Sequence, residues 1–133
     1  MTDCLFCKII SGEIPSRIVY EDDQVVAFWD AHPTAPTHIL IVPRKHVPTL
    51  NDLEEGDPIL CHMAEVAKKI ALDLDAARNG YRFFINVCRE GGQVIFHLHA
   101  HLMAGNDFGM MIIKSAIAVA ILMRKVKKWI FGK

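Results

Sequence analysis

Glycine and proline are scarce in this chain, eight and six of 133 residues. That excludes a collagen-like or low-complexity sequence, and with 52% hydrophobic residues the composition is that of a globular domain. An excess charge of one sign is also lacking, with 15 Lys and Arg against 15 Asp and Glu. Retention on nucleic acid by bulk charge needs a surplus of cations facing phosphates, so that class is excluded. The four cysteines are too few for a disulfide scaffold. The start, Met1-Thr2-Asp3-Cys4, has neither the basic flank nor the apolar run of a secretory signal, so the expectation is a reduced, cytoplasmic protein. Internal repeats are missing as well, and the length suits one continuous unit.

What is present reads as strands, a helix, then strands. Ile18-Val19-Tyr20 and Val25-Val26-Ala27-Phe28-Trp29 flank the polar Glu21-Asp22-Asp23, which predicts a hairpin. Ile39-Leu40-Ile41-Val42 predicts a third strand stopped by Pro43. Asp57 and Pro58 supply an N-cap and a first-turn proline, and Ile59, Met63, Val66, Ile70 and Leu74 recur at helical spacing up to a C-cap at Asn79-Gly80. Two further strands are expected over residues 82–87 and 95–103, joined by Arg89-Glu90-Gly91-Gly92-Gln93. The fold class is α+β around a mainly antiparallel sheet. Cys61 and Cys88 lie in apolar contexts and are expected to be buried packing residues. The close pair Cys4 and Cys7 suits a metal site or a redox pair in a reducing compartment, or simply the packing of a short N-terminal helix.

Chemistry concentrates in His97-Leu98-His99-Ala100-His101-Leu102-Met103. In a strand, period two puts the three imidazoles on one face and Leu98, Ala100 and Leu102 on the other. Neighbouring histidines then stand roughly 6.6 Å apart along the strand, close enough to flank a phosphate-sized group. Side chains that titrate near neutrality serve as acid, base, nucleophile or ligand. Read without further context, the His-x-His pair also admits an open zinc site of metalloenzyme type.

The pattern of residues 97–103 resembles the signature of the histidine triad (HIT) superfamily of nucleotide hydrolases and transferases. Other segments agree in order: Cys4 to Ile10, Gly12-Glu13-Ile14-Pro15, Ala27-Phe28-Trp29-Asp30, residues 33–38, residues 42–46 and Gly91-Gly92-Gln93. They are most similar to the Hint branch, compact homodimers with purine-nucleoside phosphoramidase activity. The resemblance implies a HIT-like sheet with a long central helix and a short N-terminal helix. It implies release of a nucleoside monophosphate, AMP or a related purine nucleotide, from an amine, acyl or phosphate leaving group. His99 matches the nucleophile that forms a nucleotidyl-histidine, His101 the histidine that holds the phosphate and moves protons, and His38 a further histidine of the pocket. Asp30 matches the acceptor for the ribose hydroxyls. Ala31, Asn86, Gly92, Gln93 and Val94 match positions around the nucleotide and its α-phosphate. Neither a catalytic metal nor an organic cofactor is implied.

The same resemblance matches Cys4, Cys7, His46 and His97 to a structural zinc set, two thiolates and two imidazoles closing a tetrahedral site. Two departures stand out. Val94 occupies a position where family members usually carry Ser or Thr, and Ala104-Gly105-Asn106 replaces a more usual Gly-Gly-Arg. A nucleotide- or partner-binding module with drifted activity is the alternative that Val94 and the added tail of residues 110–133 motivate.

The resemblance covers a domain of residues 1–109 and stops before a tail of residues 110–133. The tail is apolar and basic, with 6 Lys and Arg and no acid, whereas residues 1–109 carry 9 Lys and Arg against 15 Asp and Glu. Neutrality is a cancellation between unlike parts. A helical tail is expected, yet its longest uncharged run, residues 115–123, falls well short of the ~20 residues that span a bilayer. The tail's first reading is a helix packed on the domain or its dimer mate. Its second is a peripheral contact with an anionic membrane surface.

Overall fold

The hairpin turn is organised by one carboxylate. In the computed structural model, which describes residues 3–132, Asp22 Oδ1 accepts the backbone N–H groups of Gln24 and Val25, each at 2.8 Å. This side-chain mimic of a turn joins β1 (Ile18–Glu21) to β2 (Val25–Trp29). The expectations that include Met1, Thr2 and Lys133 reach, at those ends, outside the described residues.

A short helix α1 (Leu5–Ile10) precedes the hairpin. After it come β3 (Thr37–Pro43), a 3-10 turn over Leu50–Asp52, the central helix α2 (Ile59–Asp73), β4 (Tyr81–Ile85), β5 (Ala100–Ala104) and α3 (Phe108–Phe131). The five strands form one sheet in the order β1-β2-β3-β5-β4, with every pair antiparallel, which is the expected α+β class.

Alternation along the strands divides two cores. Ile39 and Ile41 join Val25, Ala27, Ala100 and Leu102 against Met63, Val66, Ala67 and Ile70 of α2. Leu40 and Val42 join Val26 and Phe28 on the other face, where Phe6 of α1 covers them. Fully burying side chains of this size stabilises by about 1.5–3 kcal/mol each, so the α2 face carries most of the stability and the opposite face is left open for a site.

Several expected boundaries move. The last strand begins at Ala100, not Ile95, because residues 95–97 bend and the Leu98 N–H bonds the Val47 carbonyl at 2.6 Å outside the sheet. β4 runs from Tyr81 to Ile85, not from Arg82 to Val87. Helix α2 ends at Asp73, short of Asn79-Gly80. Asp75 takes the left-handed φ of 57°, with Ala76 N–H bonded to Ala71 O and Asp75 N–H to Leu72 O. Glycine usually fills that closing position, and an aspartate there gave no warning. Leu74 therefore falls beyond the helix and is partly exposed. Cys61 is exposed, contrary to expectation, because it precedes Met63 by two residues and so points away from the buried stripe; Cys88 is only half-buried.

The tail is helical, as expected, but it does not pack on the domain. Phe108 is half-buried, and from Gly109 onward every described residue is exposed. No described helix is long and apolar enough to cross a membrane.

Candidate active site

Strand register builds the site. His101 pairs with Leu40 on one side and Phe84 on the other, and Met103 pairs with His38 and Arg82. All six side chains therefore rise from the face opposite α2. With Phe6 and Ile9 of α1, Ile14 and the segment around Asp30, they line a cavity of about 730 Å³, the size of an ordinary small-molecule pocket.

The backbone fixes the tautomers of the histidines. His99 Nδ1 lies 2.7 Å from the His97 carbonyl. A carbonyl can only accept, so Nδ1 carries the hydrogen and Nε2 keeps a free lone pair. His38 Nδ1 accepts the Thr34 backbone N–H at 3.2 Å, so its hydrogen sits on Nε2 and points to His101 Nδ1, 3.0 Å away. His101 in turn carries its hydrogen on Nε2, a buried atom with no hydrogen-bond partner among the described residues. The result is a directed chain from Thr34 through His38 to His101, ending on a donor that awaits an acceptor. A buried polar atom without a partner calls for an explanation; here a bound oxygen would supply it.

Burial sets the charge states. It pushes His99 and His38 below the ordinary imidazole value of 6.5, against the raising effect of Asp30 on both and of the His97 carbonyl on His99. His101 is pushed down to about 4, by burial first and then by the neighbouring His99 and His38. The three are neutral at pH 7. Asp30 Oδ2 stands 3.4 Å from His38 Nε2, while its Oδ1 accepts the His32 N–H at 2.8 Å.

His97 turns to a different task. Its Nε2–H donates to the Pro43 carbonyl at 2.8 Å, leaving the Nδ1 lone pair directed at Cys4, Cys7 and His46. Cys4 Sγ and Cys7 Sγ each lie 3.5 Å from His97 Nδ1, Cys7 Sγ lies 3.3 Å from His46 Nδ1, and the two Nδ1 atoms are 3.2 Å apart. A tetrahedral ion with ordinary zinc bond lengths needs edges of about 3.3 Å between nitrogens and about 3.6 Å between nitrogen and sulfur. The four residues fit that metal, and the Pro43 carbonyl is the kind of outer partner that orients a ligating imidazole.

Of the residues expected at the nucleotide site, Asp30, Ala31, His38, Asn86, Gly92, Val94, His99 and His101 all line the cavity. Gln93 does not. Its buried amide accepts the Cys88 N–H and donates to the Pro48 and Ile95 carbonyls, so it braces the glycine loop. Gly91 lets that loop close, since a Cβ there would meet the Val87 carbonyl oxygen. Thr34, Arg82 and Phe84 escaped the sequence reading. The signal for the last two is period two counted back from Asn86 along a strand.

Known proteins agree with this geometry. The family model described as HIT domain matches residues 11–108. A purine nucleoside phosphoramidase of Escherichia coli (strain K12) is 49% identical over 111 residues, 83% of this chain and 93% of that protein. A solved histidine triad protein from Clostridium difficile superposes with a TM-score of 0.79 at 46% identity, covering 81% of this chain and 95% of that one. A zinc-bound histidine triad family protein from Mycobacterium smegmatis has a TM-score of 0.71 at 30% identity, covering 80% and 77%. With the triad, the antiparallel sheet and these relatives in agreement, the chain belongs to the HIT domain family.

Proposed function

We propose that this protein hydrolyses nucleoside monophosphate derivatives, releasing AMP or a related purine nucleotide from an amine, acyl or phosphate leaving group through a nucleotidyl-histidine at His99. The observation that carries the reading is the 2.7 Å bond from His99 Nδ1–H to the His97 carbonyl, which leaves Nε2 as a neutral nucleophile in the cavity. Nε2 attacks the α-phosphorus while the bond to the leaving group breaks. His101 Nε2–H, which has no hydrogen-bond partner among the described residues, donates a hydrogen bond to a phosphoryl oxygen or to the departing atom and, being neutral, keeps its proton, so an amine leaving group takes its proton from solvent. His38 Nε2–H steadies His101 at Nδ1. Water then attacks the phosphorus, giving a proton back to solvent, and the phosphorus–nitrogen bond breaks to return His99. Asp30 serves the ribose hydroxyls, and Ala31, Asn86, Gly92 and Val94 bound the nucleotide. The name of the Escherichia coli relative supports this substrate class.

His99→Ala should abolish release of AMP from an adenosine phosphoramidate while AMP binding, followed by calorimetry, persists. Turnover equal to the parent's would end the proposal.

Residues 1–109 form the catalytic unit in this reading and 110–133 an appendage. Cys4, Cys7, His46 and His97 would hold a structural zinc ion, which would tie α1 to the triad segment and leave the chemistry to His99 and His101. The enzyme acts as a cytoplasmic homodimer. Since α3 does not pack on its own domain, its apolar surface belongs against the second chain; peripheral contact of its basic end with an anionic membrane is the alternative.

A further inference from the structure

Next to the nucleophile stands a stack of planar groups that the chemistry above leaves unused. The Phe84 ring lies parallel to the His101 imidazole, with centroids 4.7 Å apart and planes 7° apart. The Arg82 guanidinium lies over the Phe84 ring at 5.0 Å, and over Phe108 at 5.5 Å. The column therefore runs from the first residue of α3, through two side chains of the edge strand β4, to the donor histidine.

The His101 ring also meets His99 and His38, with centroids 5.0 and 5.3 Å away, but both are tilted to it by 59° and 38°, so neither offers a parallel face. Among the described residues its one polar contact with a side chain is at Nδ1, from His38, and its Nε2 has none. A single hydrogen bond fixes one atom of a ring and leaves the ring free to swing about it. A parallel aromatic face fixes the plane, and the two constraints together fix where Nε2–H points. Offset-stacked rings at this separation attract beyond the area they bury, and a guanidinium over the ring adds cation–π attraction that holds Phe84 in turn.

We infer that Phe84, braced by Arg82, is a positioning residue that aims His101 Nε2–H at the phosphoryl group. The inference rests on the proposed role of His101 as hydrogen-bond donor to the phosphoryl group. Aim matters most where charge develops, so its loss falls on turnover more than on ground-state binding.

The test compares the parent with Phe84→Leu, Phe84→Met and Phe84→Tyr, the second variant covering the case that the first does not fold. Steady-state release of AMP from an adenosine phosphoramidate is measured alongside the ring-proton NMR resonances of His101. The expected result is a fall in kcat of about tenfold for Leu and Met with KM within about twofold, and recovery with Tyr, which keeps the aromatic face. The His101 ring protons should lose their upfield ring-current shift in Leu and Met and keep it in Tyr. Unchanged kcat in the folded Leu or Met variant, or a loss expressed in KM alone, overturns the inference. A parent that binds AMP but releases none counts against the functional reading. The NMR arm then judges the stack by itself, and a His101 resonance indifferent to Phe84→Leu overturns it.

Discussion

Val94 lines the cavity and is 85% exposed, an expensive place for an apolar side chain and one where the resemblance leads one to expect a hydroxyl. Restoring it with Val94→Ser adds one neutral hydrogen bond to a phosphate or leaving-group oxygen, worth about 0.5–1.5 kcal/mol. Turnover of a phosphoramidate should rise by about twofold to tenfold, and steady-state kinetics with no gain would show that this oxygen is served by another donor. The histidines make a second prediction. His38 and His101 are held below 6.5 in the fold by burial, His101 at about 4, whereas in the unfolded chain both titrate near the ordinary value. Between those pH values the unfolded state binds more protons, so their contribution to stability is complete above about 6.5 and is lost as the pH falls toward about 4. Urea midpoints should therefore decline across that range, and His101→Gln should flatten the decline; a parent curve that stays level would refute it. At this scale the sequence told which residue types were present. It could not tell which nitrogen of each imidazole carries hydrogen, because that depends on the Thr34 N–H and on the His97 and Pro43 carbonyls that face them.

Elements were legible where one local signal sufficed. The hairpin, β3, the start of α2 and the short N-terminal helix follow from strand alternation, a turn aspartate, a capping aspartate and the family resemblance. The end of α2 was not legible, since Asp75 takes a conformation that favours glycine. Nor was the start of β5, where a hydrogen bond from Leu98 to Val47, 51 positions earlier in the chain, replaces the sheet ladder. That departure has a use. By leaving the ladder before Ala100, the segment turns His97 toward Cys4 at the start of α1 and toward His46, while His99 and His101 stay in the cavity. α1 has only six residues, too few to be stable alone, so the metal should contribute strongly to its order. Protein purified without added zinc should carry close to one equivalent per chain, and chelation should lower the melting temperature and expose Phe6. Fewer than about a tenth of an equivalent would sink the zinc assignment.

At the scale of the whole molecule the odd feature is α3, 24 residues long and thus about 36 Å from end to end, with large apolar side chains such as Ile112, Leu122 and Trp129 left exposed. A chain ending at Gly109 keeps Phe108 and the column beside His101, so its turnover per folded site should match that of the full chain. If α3 lies against a second chain, light scattering should find the shortened protein with a weaker dimer. Flotation of the full chain alone on anionic liposomes would instead assign the helix to a membrane surface. The sequence by itself determined the α+β class, the family resemblance and the residues able to do chemistry, because these follow from periodicity, capping and short motifs that need no distant contact. Only the tertiary structure decided how the triad divides its labour, which nitrogens are free, that Gln93 braces a loop, and that Phe84 meets His101. Most of these depend on strand register and on contacts between residues far apart in the chain, the free nitrogens of His99 and His38 depend on the local backbone path that brings the His97 carbonyl and the Thr34 N–H onto them, and the left-handed turn at Asp75 and the bend before Ala100 obey no local rule that could have announced them.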